Sequence, residues 1–216
     1  MITTFVALLI SMLPLQPAQT LPKAFPREGA KQLIDNERVT VWDVTVAKGK
    51  PAVIHQHPLD TVIVDLAEAR INNTVLHKGG VGLSRKGSTD SQEVTGDVPR
   101  HLIAIELKDV TVPPLANRSG FPEAFPREGA KKVLDDSRFT VWDFSWALGE
   151  ASNMHFHSKD VVVVYLDNGE LESTTPDGKT TVNASTFGQA KFNPRDRTHS
   201  EKLVKGAQRV IAVELK

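Results

Sequence analysis

The chain has 216 residues with 26 basic and 26 acidic side chains, so its formal net charge is zero and nothing in its charge favours nucleic acid or an anionic membrane as a partner. Cysteine is absent, which excludes disulfides, thiolate metal ligands and cysteine nucleophiles and leaves histidine and carboxylate as the side chains that could hold a metal. The length suffices for one large domain or two small ones.

The first segment of the chain is an apolar run over residues 5–15. It is too short to span a bilayer and is followed by small residues at Ala18 and Thr20, a pattern typical of a secretory signal. The charged end of such a signal is missing, because no Lys or Arg precedes Lys23. We predict that residues 1–20 are a signal peptide, that the protein is secreted or periplasmic, and that no membrane span remains after cleavage. A loosely docked apolar terminus is the alternative.

The rest of the chain repeats itself. Residues 24–66 align without a gap onto 124–166, and roughly half of these positions are identical, which indicates duplication of one unit. Both units open on Ala-Phe-Pro-Arg-Glu-Gly-Ala-Lys and share a Trp-Asp pair at 42–43 and 142–143. We call residues 24–108 the first copy and 124–216 the second copy. The shared Trp-Asp pair is expected to serve packing, because both copies keep it.

Short segments of alternating apolar and polar residues fill both copies, for example 38–46 and 138–146. A period of two indicates strands, and no segment keeps a helical period over the length of a helix. The sequence therefore predicts an all-β chain with a sandwich or barrel in each half. We expect an N-terminal domain over 21–108, a linker over 109–123 and a C-terminal domain over 124–216.

Each copy carries one His-x-His pair, His55 and His57 in the first and His155 and His157 in the second, in the same register. Residues two apart in a strand project from the same face, with Cα atoms roughly 6.5 to 7 Å apart, so both imidazoles of a pair can reach one point. Imidazoles inside an apolar barrel need polar partners, and a divalent cation supplies one for each ring.

The spacing around the second pair resembles the two motifs of the cupin superfamily. The first motif is matched by Gly149, His155, His157 and Gly169, and the second by Gly188, Pro194 and His199. The resemblance covers most of each copy and implies two tandem cupin-type β-barrels of the jelly-roll or double-stranded β-helix type, a bicupin of the RmlC-like kind. It also implies that His155, His157 and His199 hold a divalent metal ion such as Fe, Mn or Zn.

One departure from the cupin pattern bears on the chemistry. Cupins commonly place a metal-binding Glu after the His-x-His pair and an interval of three or four residues, where this chain has Val161 and Val162. Three neutral imidazoles leave more positive charge on the ion than a site with a carboxylate, which favours anionic or chelating ligands. Cupins without this Glu include three-histidine dioxygenases, so the resemblance implies oxygen chemistry as one option.

The first copy keeps the His-x-His pair and loses most of the second motif. Aligned from the shared C-terminal strand, Gly80, Lys86 and Ser91 stand opposite Gly188, Pro194 and His199. His55 and His57 are then a weaker second site, unless Asp60 or Asp90 adds an oxygen ligand to give a set of two histidines and one carboxylate. We expect the first domain to be a scaffold or a dimer-like partner of the second domain, with a pocket that has decayed.

Two charged residues near His199 are candidates for a supporting role. Glu201 shares the strand parity of His199 and could serve as a hydrogen-bond partner of a ligand or as a general base. Arg195 could hold a substrate carboxylate at the mouth of the pocket. A solvated turn with surface ion pairs is the alternative for both.

The sequence thus predicts an exported, metal-binding protein whose partner is a small molecule. If it is an enzyme, the resemblance favours dioxygenase-like or isomerase-like chemistry. A non-catalytic module for an anionic or sugar-like ligand and a metal-free structural domain are the alternatives, and the sheets of such barrels would also allow a homo-oligomer.

Overall fold

The computed structural model describes residues 20–49, 53–72, 74–91 and 93–216. The predicted signal peptide, residues 1–20, lies almost entirely outside the described residues. Every regular element within these ranges is a β-strand, which confirms the all-β prediction. These ranges contain no helix long and apolar enough to cross a membrane.

The described part of the first copy forms short strands separated by turns. They are β1 (Ala30–Asp35), β2 (Val39–Val46), β3 (His55–Gln56), β4 (Asp60–Asp65), β5 (Ala69–Ile71), β6 (Thr74–Leu76), β7 (Val81–Ser84), β8 (Thr89–Asp90) and β9 (Arg100–Leu107). The second copy follows the same order. Its strands are β10 (Lys131–Asp135), β11 (Phe139–Trp146), β12 (His155–His157), β13 (Val161–Tyr165), β14 (Gly169–Thr174), β15 (Thr180–Ser185), β16 (Ala190–Asn193), β17 (Arg197–Gly206) and β18 (Gln208–Leu215).

The two copies build the same antiparallel layers. Each has a five-stranded sheet, in the order β1-β2-β9-β4-β7 and β10-β11-β18-β13-β16. The histidine strands lie in smaller sheets, β3-β8 in the first copy and β12-β17-β14-β15 in the second. No described sheet combines strands of both copies, and the domain boundaries themselves stay a prediction.

The second copy has the longer hairpin next to its histidine strands. Strands β14 and β15 have six residues each, whereas their counterparts β5 and β6 have three. Because β14 also pairs with β17, the long hairpin extends the small sheet of the second copy. This extension provides additional walls for the interior of that barrel.

The largest apolar core lies between the two five-stranded sheets. Strands alternate their side chains between two faces, and the inward faces of both large sheets meet in one cluster of buried residues. It contains Val39, Val41, Val62, Val64, Leu66, Ile103, Ile105 and Leu107 from the first copy and Phe139, Val141, Val162, Val164, Leu166, Ile211, Val213 and Leu215 from the second. The opposite face of each sheet lines the interior of its own copy.

The shared tryptophans pack inside the copies, as the sequence analysis expects. Trp42 stacks on Phe25 with ring centroids 5.4 Å apart, and Trp142 stacks on Phe125 at 5.2 Å. Each aromatic pair belongs to a separate buried cluster. They place the N-terminal end of each copy against its large sheet.

Two reciprocal ion pairs connect the copies. They are Arg38 with Asp160 at 2.7 Å and Arg138 with Asp60 at 3.0 Å. Each aspartate also accepts a hydrogen bond from a backbone amide. The amide is that of Lys86, in the loop before β8, in the first copy and that of Arg195, in the loop before β17, in the second. Asp60 and Asp160 therefore hold these loops in place, and Asp60 does not join the histidines of its copy.

Candidate metal centres and the adjacent cavity

The three histidines that the cupin resemblance selects meet inside the second copy. β12 pairs with β17 so that His155 lies directly opposite His199, and His157 projects from the same face of β12 as His155. One ligand nitrogen from each ring lies within 4.8 Å of the others. The Nε2 atoms of His157 and His199 are only 3.2 Å apart. All three side chains are buried.

The protonation of these rings suits metal binding. His155 donates from Nδ1 to the backbone carbonyl of Asn153 at 2.8 Å, which leaves Nε2 as the atom with a free lone pair. Burial lowers the pKa of His199 to about 4, and burial also lowers the pKa values of His155 and His157. The imidazoles are therefore neutral near pH 7, the form that coordinates a cation.

This donor set fits a divalent transition metal. Neutral imidazole nitrogens are common ligands of Zn, Fe and similar ions. Two Nε2 atoms 3.2 Å apart in a buried site also need a proton or a cation between them, because their lone pairs would otherwise repel. The three imidazoles can therefore bind one ion without a rearrangement of the backbone.

A cavity of about 270 Å³ opens beside the histidines of the second copy. His157 and His199 form part of its wall. The charged side chains that line it are Arg127, Lys191, Arg197 and Glu201. The other lining residues are apolar or aromatic (Phe125, Trp146, Val161, Val163, Tyr165, Leu171, Val210 and Ala212) or neutral and polar (Ser173, Asn183, Ser185 and Asn193). Burial raises the pKa of Tyr165 to about 12, so its hydroxyl is neutral.

Arg127 contacts the histidine group directly. Its guanidinium carbon lies 3.9 Å from the ring centroid of Phe144, and burial lowers its pKa. One terminal nitrogen is 3.4 Å from His155 Nε2 and 3.4 Å from Glu201 Oε2. The sequence analysis did not select Arg127 as a site residue. The available signal was its position in the identical opening segment of both copies, where Arg27 is its counterpart.

Glu201 and Arg195 have different positions. Glu201 lines the cavity, and its Oε1 is 3.8 Å from His199 Nε2. Burial alone would raise the pKa of Glu201, but Arg127 and His199 outweigh it and the pKa is lowered. Arg195, by contrast, donates to the carbonyl of Pro113 at 2.6 Å and is not part of the cavity wall. Arg197, two residues further on, contributes the cationic side chain there.

The first copy also brings three candidate ligands together, namely His55, His57 and Asp90. Asp90 Oδ1 is 2.8 Å from His55 Nε2 and Asp90 Oδ2 is 3.3 Å from His57 Nε2. The strand register places Asp90 opposite His55, as it places His199 opposite His155. Of the two aspartates that the sequence analysis left open, the structure places Asp90 with the histidines.

This register corrects the alignment of the two copies. Ser91 is not the counterpart of His199, because nine residues separate Asp90 from Arg100 and eight separate His199 from Gln208. The same shift makes Gly79, rather than Gly80, the counterpart of Gly188. Both glycines have a positive φ, +79° and +78°, and both donate a backbone hydrogen bond to the strand after the histidine pair.

The interior of the first copy is filled. Its cavity has a volume of only about 20 Å³. Arg100, which is paired with Asp65 at 2.7 Å, lies in the wall of this small cavity. The second copy has Gln208 and Tyr165 at the corresponding positions of β18 and β13. The two copies therefore present a closed site and an open site on the same scaffold.

Comparison with solved structures identifies the fold. The cupin 2 conserved barrel domain protein from Leptotrichia buccalis aligns with a TM-score of 0.53 at 14% identity, covering 87% of this chain and 88% of that one. Oxalate decarboxylase from Bacillus subtilis, described with Mn(II) centres, gives a TM-score of 0.56 at 11% identity over 83% and 68%. Salicylate 1,2-dioxygenase from Pseudaminobacter salicylatoxidans gives 0.58 at 10% over 86% and 76%.

The sequence itself gives no further match. No protein-family model matches it, and a search of curated proteins finds no match either. Sequence identities as low as those with the solved structures support a shared fold but not a shared activity. Together with the strand order of the sheets, they show that the chain has the cupin barrel fold.

Proposed function

We propose that this protein is an RmlC-like bicupin whose second copy holds a divalent metal ion through His155, His157 and His199 and acts on a small molecule in the adjacent cavity. The observation that carries the proposal is the meeting of three buried, neutral imidazoles at the wall of a cavity of about 270 Å³. Fe, Mn and Zn all accept such ligands.

The open cavity favours a reactive centre over a purely structural one. Structural metal sites are closed by protein ligands, whereas catalytic sites keep a coordination position for water or substrate. A bound ion would supply Lewis-acid chemistry, an activated water molecule or access to oxygen. The similar folds of an oxalate decarboxylase with Mn(II) centres and a salicylate 1,2-dioxygenase make carboxylic acid chemistry the first class to test.

Several residues around the cavity can bind the small molecule or accept a proton from it. Glu201 is ionised beside His199 and is placed to accept a proton from a bound molecule. Arg127 and Arg197 can hold an anionic group. Apolar lining residues such as Trp146 offer contacts for the carbon skeleton of a bound molecule.

We further propose that His55, His57 and Asp90 hold a second ion in a closed, structural site. Two histidines and a carboxylate form a competent donor set for a divalent metal, and a cavity of about 20 Å³ beside them leaves no room for a substrate. Export through residues 1–20, and hence a secreted or periplasmic location, belongs to the same proposal and rests on the sequence pattern alone.

Metal stoichiometry of the purified full-length chain tests the proposal. We expect two equivalents in the native protein and one in His199→Ala. The matched control is His77→Ala, because His77 is exposed and outside both groups. A native protein without metal after growth with Fe, Mn and Zn, or His199→Ala with the native content, would contradict the assignment. If the native protein holds one equivalent of metal and His199→Ala loses it, only the proposed site of His55, His57 and Asp90 is refuted.

A further inference from the structure

We propose that the cavity of the second copy is built for a small dicarboxylate, with one carboxylate beside Arg127 and the histidine group and the other towards Arg197 and Lys191. This inference deepens the proposed function and rests on it for the role of the metal. It names the substrate class by its charge and size.

The first argument is the surplus of positive charge around the cavity. Among the described residues, Arg127, Lys191 and Arg197 are the cationic side chains in its wall, and Glu201 is the one carboxylate there. Glu201 approaches Arg127 only to 3.4 Å, so the contact is long for a charged hydrogen bond. Buried cations are stable in proteins when they are paired. Two negative charges from a ligand would balance this wall.

The second argument comes from the first copy, which keeps the arginine and supplies the anion from its own chain. Arg27 contacts the ring of His55 at 3.3 Å, as Arg127 contacts His155 at 3.4 Å. In the first copy the carboxylate of Asp90 bridges both histidines. In the second copy His199 takes that position, and the carboxylate that Arg127 contacts is that of Glu201, at 3.4 Å.

The other buried charges of the first copy balance each other. Arg100 is paired with Asp65 at 2.7 Å, and the second copy has the neutral residues Gln208 and Tyr165 there. This exchange leaves the net charge unchanged, so the two positive charges in excess around the cavity come from Arg127, Lys191 and Arg197 against Glu201. A dicarboxylate ligand would balance that excess and occupy the empty volume.

The third argument concerns the ion. A divalent metal on neutral imidazoles keeps its full charge of +2. The terminal nitrogen of Arg127 lies 3.4 Å from His155 Nε2, so guanidinium and metal would be close neighbours in a partly dry site. A carboxylate between them interacts favourably with both. The volume of about 270 Å³ is below the usual range for drug-sized ligands and suits a compact molecule.

Isothermal titration calorimetry of the full-length chain tests the inference. The probes are malonate, succinate and glutarate, with monomethyl succinate and succinamide as controls of lower charge. Titrations are made with EDTA-treated protein and with Zn(II)-loaded protein. We expect at least one dicarboxylate to bind in both states, more tightly with Zn(II), and the diamide to bind in neither. Equal binding of the diamide, or no binding of any dicarboxylate in either state, would overturn the inference.

Paired arginine variants locate the binding site. Arg127→Gln and Arg197→Gln should each weaken dicarboxylate binding about ten- to a hundredfold, the usual effect of losing a charged hydrogen bond. Arg27→Gln, the matched change in the closed copy, should change the affinity less than about twofold, because its cavity of about 20 Å³ admits no ligand. Circular dichroism and thermal melting check that the variants fold. If Arg127→Gln fails to fold, the dicarboxylate affinity of Arg197→Gln decides the test.

The inference and the proposed function can fail separately. Loss of metal in His199→Ala with no dicarboxylate binding in the native protein would refute the inference and leave the metal site intact. Dicarboxylate binding to a chain that never takes up metal would refute the metal site and support the charge argument. Native affinity in both Arg127→Gln and Arg197→Gln would refute the inference even if binding occurs.

Discussion

The two copies share a scaffold and differ in what fills it. Both place a His-x-His pair opposite a third candidate ligand, both direct an arginine at the first histidine, and both pack a large sheet into the common core. The cavity beside the histidines has a volume of about 20 Å³ in the first copy and about 270 Å³ in the second. The comparison teaches that the fold keeps the position of the site, while a few interior residues decide whether it accepts a ligand.

Separate removal of the third ligand is expected to have the largest effect. His199→Ala should abolish metal binding in the second copy, and Asp90→Ala should abolish it in the first, each without affecting the other, because the two groups belong to different sheets. Loss of a direct ligand should reduce affinity by more than the 10- to 100-fold typical of outer-shell changes. Competition titration with a zinc chelator measures both. Simultaneous loss of both ions in either variant would show that the sites are not independent.

Filling the open interior should remove ligand binding and leave the metal. Ser173→Trp adds a large side chain at a half-buried position of the cavity wall. We expect dicarboxylate binding to disappear because the indole occupies the cavity, while one zinc equivalent remains at His199 and its partners. Calorimetry and metal analysis of the same preparation report both. Undiminished dicarboxylate affinity would show that the cavity does not bind the ligand.

Breaking the buried pair in the closed copy should destabilise the protein. Arg100→Gln leaves Asp65 buried without its main cationic partner, and breaking such a pair costs about 3 to 5 kcal/mol in the free energy of unfolding. A more exposed ion pair in the second copy offers a control. Arg209→Gln removes a partly exposed contact with Asp143 and should cost about 1 kcal/mol or less. Urea unfolding compares the two, and equal effects would contradict the role assigned to the buried pair.

The smallest difference is expected at the shared tryptophans. Trp42 Nε1 donates to Glu106 at 2.7 Å, whereas Trp142 Nε1 is buried without an acceptor among the described residues. Trp42→Phe therefore leaves a buried carboxyl group without its donor and should cost about 1 to 2 kcal/mol more than Trp142→Phe. Thermal and urea unfolding of both variants measure this. A larger cost for Trp142→Phe would contradict the hydrogen-bond account.

The sequence suffices to predict the strands and the histidine group of the second copy. A period of two and the His-x-His spacing act locally, so the strands and the placement of His155 and His157 on one face follow from neighbouring residues. His199 lies on another strand, and only the resemblance to the second cupin motif connects it with that pair. The fold and the meeting of the three rings in the structure agree with those patterns, and metal binding itself stays a proposal.

Other parts of the site depend on tertiary structure. The sequence does not distinguish Asp60 from Asp90, because a loop one residue longer in the first copy shifts the alignment and only strand pairing reveals the correct register. Arg127 lies 28 residues before His155, so no local spacing connects them. The buried pair of Arg100 with Asp65 in the first copy also forms between residues 35 positions apart. Such contacts are set by packing and leave no periodic signal.

The most direct test of the central claim is anomalous X-ray diffraction from crystals of the full-length protein grown with Zn(II). The account predicts an anomalous peak in the second copy within about 2.0 to 2.1 Å of one nitrogen of each of His155, His157 and His199, the usual zinc–imidazole distance, with the cavity open on one side. Rings that point apart, or a fully loaded crystal without a peak between them, would contradict it.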